Sequence, residues 1–428
     1  MFIPSLETLD HSQIRAFQLR ELKKLLTYVS ESSPFYISLF KQADIMVDDI
    51  NSFTDFERIP PTDKSNLQQF QKDFWCVSTD KILDYCSTSG TEGRPVIVPL
   101  TSNDLDRLAY NESTSLTCAN GSDKDIYQLT TTIDRQFMAG YAYALGVKAM
   151  GAGMVRVGPG LPELQWRMIN EIKPTALIIV PSFLNKIIDY ALANDIDFQS
   201  SSITKAVCIG EPIRHANFEL NAIGKRITEK WNINLYSTYA STEMGTAFTE
   251  CEAGRGGHLR PELLIAEILD DNNQPVKPGE TGELTITTLG VEAMPLIRFK
   301  TGDICYMDYE PCSCGRNTSR LSPILGRKYQ LIKYKGTTCY PPAIFDLLDA
   351  ERDILHYQVV VEFDEFGNDL LKVLYCGRAG FESGLLYKKF KAILRVTPEL
   401  YEVSEEVLVA RVYPKTSRKP LKFMDMRK

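Results

Sequence analysis

The chain has 428 residues, 44% of them apolar, 24% charged and 10% aromatic, an ordinary composition long enough for two or three globular domains. Its 55 acidic and 48 basic residues leave a net charge of −7, which argues against a nucleic-acid surface as the main business. No apolar run reaches about eighteen residues, so no membrane span is expected. The start, Met1 to Glu7, lacks the features of a secretory signal. Ten dispersed cysteines fit the reduced thiols of a cytoplasmic protein better than a disulfide framework.

In chain order, residues 12–45 are predicted to be largely helical, with Ile14, Phe17, Leu22, Leu25, Leu26 and Val29 near a 3.6-residue repeat. Pro34 and the pair Pro60-Pro61 interrupt. Two strand-like runs, 81–85 and 96–100, flank a polar loop from Ser87 to Pro95. This loop carries the hydroxyls of Ser87, Thr88, Ser89 and Thr91, the glycines Gly90 and Gly93, and Arg94. Such a turn can wrap N–H groups, hydroxyls and a guanidinium around phosphate oxygens. It is not a Walker A loop, because only two residues separate its glycines and Arg-Pro follows.

From 125 to 210, strand candidates at 125–130, 154–157, 176–180 and 206–209 alternate with helical stretches, the pattern of an α/β sheet. Gly151-Ala152-Gly153 falls short of a dinucleotide fingerprint, since Arg156 stands in the third glycine's place. Between 262 and 310 short runs joined by polar turns predict antiparallel strands. After Gly326-Arg327 the pattern is a small α+β module, with strands near 357–363, 370–376 and 407–413 and helices near 342–350 and 382–394. The expected domains are therefore 1–326 and 327–428.

Four further segments carry chemistry. A strand ending in Gly210-Glu211-Pro212 leaves a backbone edge where open α/β sheets bind ligands. The run Tyr236 to Glu243 ends in Thr242-Glu243 after Tyr239, Ala240 and Ser241. In Phe299 to Ile304 a carboxylate, Asp303, follows a Gly turn and suits two vicinal hydroxyls. Cys251, His258, Cys312 and Cys314 could close a tetrahedral zinc site, although the Cys-x-Cys spacing alone leaves zinc and unrelated thiols equally open. The basic tail from Lys415 to Arg427, read alone, is solvated surface. His11, His215 and His356 form no ligand or triad pattern.

Together these segments resemble the adenylate-forming superfamily of acyl-CoA synthetases and peptide-synthetase adenylation domains, and within it the phenylacetate–CoA ligases. The resemblance runs from Leu22-Lys23-Lys24 almost to the C-terminus. It implies an α/β protein: a large N-terminal adenylate-forming domain of mixed sheets and helices, plus a small mobile C-terminal α+β domain. It assigns the β- and γ-phosphates to Ser87, Thr88, Ser89, Gly90, Thr91, Gly93 and Arg94. Gly210, Glu211, Pro212, Tyr239, Ala240 and Ser241 become nucleotide-binding, with Tyr239 stacked on adenine. Thr242 touches the α-phosphate, Glu243 holds Mg²⁺, Asp303 takes the ribose, and Arg327 lies near the ribose or α-phosphate.

Lys419 aligns with the family's catalytic lysine. Arg418 replaces the usual glycine there and Pro420 follows, so Lys422 and Lys415 stay open as the working cation. The acidic pair usual after Gly-Arg is replaced by Lys328-Tyr329-Gln330, with Tyr329 at the hinge position. Lys335 to Pro341 matches a segment that lines the thiol channel. Some relatives carry a cluster like Cys251, His258, Cys312 and Cys314, which turns that reading toward structural Zn²⁺. The acid pocket falls around 131–142 and 211–247, with Phe137, Tyr141 and Ile213 as walls and Arg135 and Arg214 as nearby cations.

The expected activity is ATP-dependent ligation of an aryl or arylacetic acid to coenzyme A through an acyl-adenylate. The cofactors are then ATP/AMP, Mg²⁺, coenzyme A and structural Zn²⁺. The partners are a small carboxylic acid and coenzyme A, with neither nucleic acid nor membrane and with room for a homodimer. Two rivals share this sequence: an enzyme that passes the adenylate to an acyl carrier protein or an amine, and a non-catalytic nucleotide-binding relative.

Overall fold

A computed structural model describes residues 3–88, 95–334, 337–414 and 420–427. Packing divides the chain into two compact units. The first is Met1–Leu220, Gly224–Thr301 and Cys305–Pro323; the second is Asn221–Ile223, Gly302–Ile304 and Ile324–Lys428.

The strands up to Leu321 are, in order, β1 (Asp84–Ser87), β2 (Ile97–Leu100), β3 (Ile126–Leu129), β4 (Gly153–Arg156), β5 (Ala176–Ile179), β6 (Lys205–Cys208), β7 (Asn234–Ser241), β8 (Thr246–Glu250), β9 (Gly257–His258), β10 (Leu264–Leu269), β11 (Gly282–Thr288), β12 (Phe299–Cys305, of which Gly302–Ile304 fall in the second unit), β13 (Met307–Asp308) and β14 (Arg320–Leu321). Nine of them form one sheet in the order β13-β14-β9-β8-β7-β6-β5-β3-β4. From β4 to β7 all neighbours are parallel; from β7 to β13 they are antiparallel. Every residue of β5 and β6 is buried, which is why β5 and Ala206–Cys208 of β6 read as continuous apolar runs rather than alternating ones; Lys205, which opens β6, is buried as the ion-pair partner of Asp125. Tyr127, Leu129, Val147, Ile178, Val207 and Tyr236 pack together in the core against this sheet. Gly151, at φ +79°, ends the helix Met138–Met150 in the left-handed conformation, and Gly153 opens β4. The glycine trio is a helix stop.

The predicted N-terminal helix is two helices, His11–Ser32 and Pro34–Gln42. Asp10 and Gln13 form a capping box on the first, and Ser33 caps the second, whose first residue is Pro34. Phe17 is not in the buried stripe; Gln18 is. The Gln18 amide donates to the carbonyls of Leu264 at 2.9 Å and Pro261 at 3.3 Å, so hydrogen bonding rather than apolarity buries that position.

The helix Ser102–Cys118 is capped by a box between Thr101 and Asp104. On it, Glu112 is buried against Gly146 of the neighbouring helix, where a Cβ would come within 2.3 Å of the Glu112 Cβ. One carboxyl oxygen accepts from Asn111 Nδ2 at 3.0 Å, and the other has no partner among the described residues. Burial therefore pushes this carboxyl up to about 8 from an ordinary 4.5. In the unfolded chain it ionises near 4.5, while in the fold it stays protonated until about 8. Its contribution is fully present below the unfolded value and is lost as pH climbs through that window. Glu112→Gln, which cannot ionise, should match wild type at pH 4. It should gain a stability advantage up to pH 8, on the order of a few kcal/mol. Thermal melts at pH 4, 6 and 8 check this; an increment independent of pH would show that the carboxyl ionises normally in the fold.

The second unit continues with β15 (Gly326–Arg327), β16 (Ile332–Tyr334), β17 (Thr337–Cys339), β18 (Ile354–Phe363), β19 (Asp369–Gly377), β20 (Glu399–Glu402) and β21 (Phe423–Asp425). The last four form a sheet ordered β20-β19-β18-β21. The helices Pro341–Asp349 and Ser383–Lys389, the second continued by a π-turn at Phe390–Leu394, supply Ile344, Leu347, Leu386 and Phe390 to a core with Val359, Val361, Leu371 and Val373. The strand predicted at 407–413 is instead a helix, Glu405–Val412. Its first turn holds Glu405 and Glu406, its last Arg411, and its buried residues Leu408 and Val412 are four apart. Val407 and Val409, on either side of the buried Leu408, are exposed. Among the described residues no helix is long and apolar enough to cross a membrane.

Candidate active site and metal centre

Parallel pairing of β6 with β7, in register at Cys208 and Ser237, brings two predicted nucleotide segments to the carboxyl ends of adjacent strands. Gly210 follows β6 at φ +75°, a backbone that residues with a Cβ rarely adopt. The Glu211 carboxylate accepts from Ser182 N–H and Ser182 Oγ, both at 2.9 Å, at the start of the helix Pro181–Ala193. It thus supplies the anionic cap that this helix lacks at Val180 and anchors the Gly-Glu-Pro corner.

Beyond the paired stretch, β7 carries Tyr239, Ala240 and Ser241 outward and turns at Thr242, Glu243, Met244 and Gly245 into β8. Tyr239 packs at a tilt against Phe248, 6.1 Å between ring centres. Met244 is fully buried and pins the turn, while Thr242 and Glu243 stay partly exposed. The Met244 N–H donates to Ser241 Oγ at 3.3 Å. A hydroxyl and a carboxylate are thereby held side by side at the carboxyl end of β7.

Ser89, Gly90, Thr91, Gly93 and Arg94, predicted to form a phosphate loop, lie outside the described residues. Ser87 and Thr88 form the neck of that loop and are buried. Thr88 N–H donates to Val96 O at 3.0 Å and Val96 N–H to Thr88 Oγ1 at 3.0 Å, closing the neck with both backbone and side chain. Arg214 is bound by Glu250, 2.8 Å from Nε, and donates through Nη1 to Phe218 O. Its guanidinium is committed inside the fold, which removes it as a cation for a polar substituent.

In the second unit Asp303 and Arg327 are cross-strand partners, their side chains 3.3 Å apart. Asp303 is buried and Arg327 half exposed. Tyr329 lies in the single 3-10 turn Lys328–Gln330 and is exposed. Lys422 donates to Tyr357 OH at 3.0 Å and to Asp349 Oδ1 at 3.2 Å. Lys415 and Lys419 lie outside the described residues.

Cys251, His258, Cys312 and Cys314, two local pairs from separate segments, have their donor atoms within 4.8 Å of one another. Cys251 Sγ is 3.6 Å from Cys312 Sγ, and Cys314 Sγ is 3.5 Å from His258 Nε2. Two thiolates on one tetrahedral zinc stand about 3.8 Å apart, given Zn–S bonds of about 2.3 Å, so the donors fit the ion. The His258 ring is oriented by Thr318 Oγ1, 2.9 Å from Nδ1, which leaves Nε2 facing the thiols. Sequence reading had no motif for two other residues of this unit, Arg107 and Asn111. They sit four apart on Ser102–Cys118, and only the tertiary packing shows what they hold.

The chain matches the family model described as AMP-binding enzyme over residues 38–293. It is 31% identical to the phenylacetate–coenzyme A ligase of Thermus thermophilus over 367 residues, 84% of this chain and 81% of that one. The chain belongs to the AMP-binding enzyme family. Another relative of this AMP-binding enzyme is the phenylacetate–coenzyme A ligase of Escherichia coli, 27% identical over 83% of this chain and 81% of the relative. A crystal structure of 2-hydroxyisobutyryl-CoA ligase, in the postadenylation state with 2-HIB-AMP, shares the fold at a TM-score of 0.86. That likeness covers 100% of this chain and 94% of the other, at 21% identity.

Proposed function

We propose that this AMP-binding enzyme is an acid–thiol ligase that joins a small carboxylic acid to coenzyme A in two steps. A carboxylate oxygen attacks the α-phosphorus of ATP, and pyrophosphate leaves. The coenzyme A sulfur then attacks the acyl carbon, and AMP leaves with the former acid oxygen. The supporting observation is the 31% identity to a phenylacetate–coenzyme A ligase across most of both chains. The Thr242–Glu243 turn at the carboxyl end of β7, beside the Gly210 corner, suits such a reaction. The aryl or arylacetic nature of the acid belongs to the same proposal.

Thr242 is read as the α-phosphate contact, and Glu243 as a hard oxygen ligand for Mg²⁺, which would supply neutralisation of phosphate charge. The ring of Tyr239 is read as the adenine platform, with Gly210, Glu211, Pro212, Ala240 and Ser241 around the nucleotide. The roles of Asp303 toward ribose, Arg327 toward ribose or α-phosphate, and Ser87 to Arg94 toward the outer phosphates are part of this reading, as is Lys419 as catalytic cation. The thiol and imidazole cluster is read as a structural Zn²⁺ site: three cysteines and one histidine fill four positions and leave none for substrate. All ten cysteines are free of disulfides, which supports a reducing, cytoplasmic setting.

The test is pyrophosphate release from ATP and Mg²⁺ with aryl, arylalkyl and aliphatic acids, with and without coenzyme A, products identified by mass. Acid-dependent AMP, pyrophosphate and an acyl-CoA are expected. A trapped acyl-adenylate that coenzyme A cannot resolve would move the reading to a carrier-protein or amine acceptor. ATP binding without turnover on any acid would make the chain a non-catalytic relative.

A further inference from the structure

Beside the thiol cluster lies a buried charge triad for which the reaction has no use. Glu7 comes from the short 3-10 turn Ser5–Thr8. One of its carboxylate oxygens meets Arg260 Nη1, and the other is 2.6 Å from Arg316 Nε. All three side chains have 0% exposure. Arg316 turns its Nη1 the other way and donates to Cys314 Sγ at 3.5 Å. The following residue ties the same segment down: Asn317 N–H donates to Glu7 O at 2.8 Å and Asn317 Nδ2 to Thr8 O at 2.9 Å. A single guanidinium thus bridges a carboxylate near the N-terminus and a sulfur of the candidate metal centre.

Full burial makes the sum of charges matter, because an uncompensated ion inside a protein costs several kcal/mol. Two guanidiniums and one carboxylate leave the triad at plus one. A divalent zinc with three thiolates and a neutral imidazole carries minus one. The two assemblies share the Arg316–Cys314 hydrogen bond and carry opposite signs; the nearby Glu262 carboxyl, which also faces Arg260 and Glu7, is pushed toward its neutral form by burial.

We propose that Arg260, Glu7 and Arg316 form the counter-charge of the metal centre, with Arg316 the positioning residue that orients Cys314 toward the ion. This rests on the zinc reading above. It carries a sign that a merely structural triad would not. Removing positive charge must weaken the anionic centre, whereas removing the Glu7 charge leaves the triad at plus two and must strengthen it.

The experiment is zinc content of the purified full-length chain, followed by zinc affinity from competition with a chromophoric chelator. Wild type is expected to hold about one equivalent. Arg316→Gln should lose about 10- to 100-fold in zinc affinity, the usual scale for outer-shell partners, and Arg316→Lys should recover most of it. Glu7→Gln should tighten zinc affinity even while its melting temperature falls. Less than half an equivalent in wild type would sink the zinc reading and this proposal with it. Full zinc with an unchanged affinity in Arg316→Gln would sink the proposal alone. Should Arg316→Gln fail to fold, Glu7→Gln decides: a tightened zinc affinity there upholds the counter-charge, and an unchanged or weakened one overturns it.

Discussion

Lys419→Ala is expected to slow adenylate formation by about two to three orders of magnitude, the scale for removing one group that stabilises transition-state charge. Lys422→Ala is expected to leave it largely intact. Both lysines flank Pro420 in a basic tail, and sequence alone leaves either free to act. Tertiary packing separates them. Lys422 is bound to Asp349 at the end of the helix Pro341–Asp349 and to the Tyr357 hydroxyl of β18. Its ammonium also stands 4.8 Å over the Tyr357 ring. A lysine held by a carboxylate, a phenol and an aromatic face is part of its unit's core architecture. Its loss should instead destabilise that unit, by about 1–3 kcal/mol for a charged hydrogen bond. Acid-dependent ATP–pyrophosphate exchange and urea melts on both variants check the pair. Exchange lost in Lys422→Ala at unchanged stability, and kept in Lys419→Ala, would reverse the assignment.

Arg107→Ala should be the other large effect, and it should strike stability and adenylation together. The buried guanidinium donates to four acceptors: Leu289 O at 2.8 Å, Gly245 O at 2.7 Å, Leu263 O at 2.7 Å and Thr246 Oγ1 at 3.0 Å. One helical turn on, Asn111 Oδ1 accepts the Ala247 N–H at 3.1 Å. The helix Ser102–Cys118 thereby grips the far side of the turn that carries Thr242 and Glu243. Truncation leaves three carbonyls without this donor in the interior, a loss of about 3 kcal/mol or more. It also frees Gly245, at φ +52°, to shift. The discriminating variant is Arg107→Lys, which keeps the charge but cannot span the same acceptors. It should fold at a lowered melting temperature and need several-fold more Mg²⁺ for half-maximal exchange. A melting loss with an unchanged Mg²⁺ requirement would confine Arg107 to the fold.

What the sequence determined by itself is what depends on near neighbours. The alternation of strands and helices from 125 to 210 was legible because β5 and Ala206–Cys208 of β6 are buried on both faces and are therefore apolar. The end of β7 was legible because the strand-forming run from Tyr236 gives way to Thr242-Glu243, and β7 does stop at Ser241. Local composition misled at 407–413: the run Val407-Leu408-Val409 suits a strand but belongs to a helix. Phe17 and Gln18 exchange places because backbone acceptors 240 or more residues away reward an amide.

Only the tertiary structure decided which charged groups are committed. Arg214 is bound to Glu250, Glu211 caps a helix through Ser182, and Lys422 is held by Asp349. Glu7 meets two arginines more than 250 residues on. The physical reason is that a charge's role is set by desolvation and by partners at hydrogen-bond distance. Those partners come from long-range packing, which no local window of residues contains.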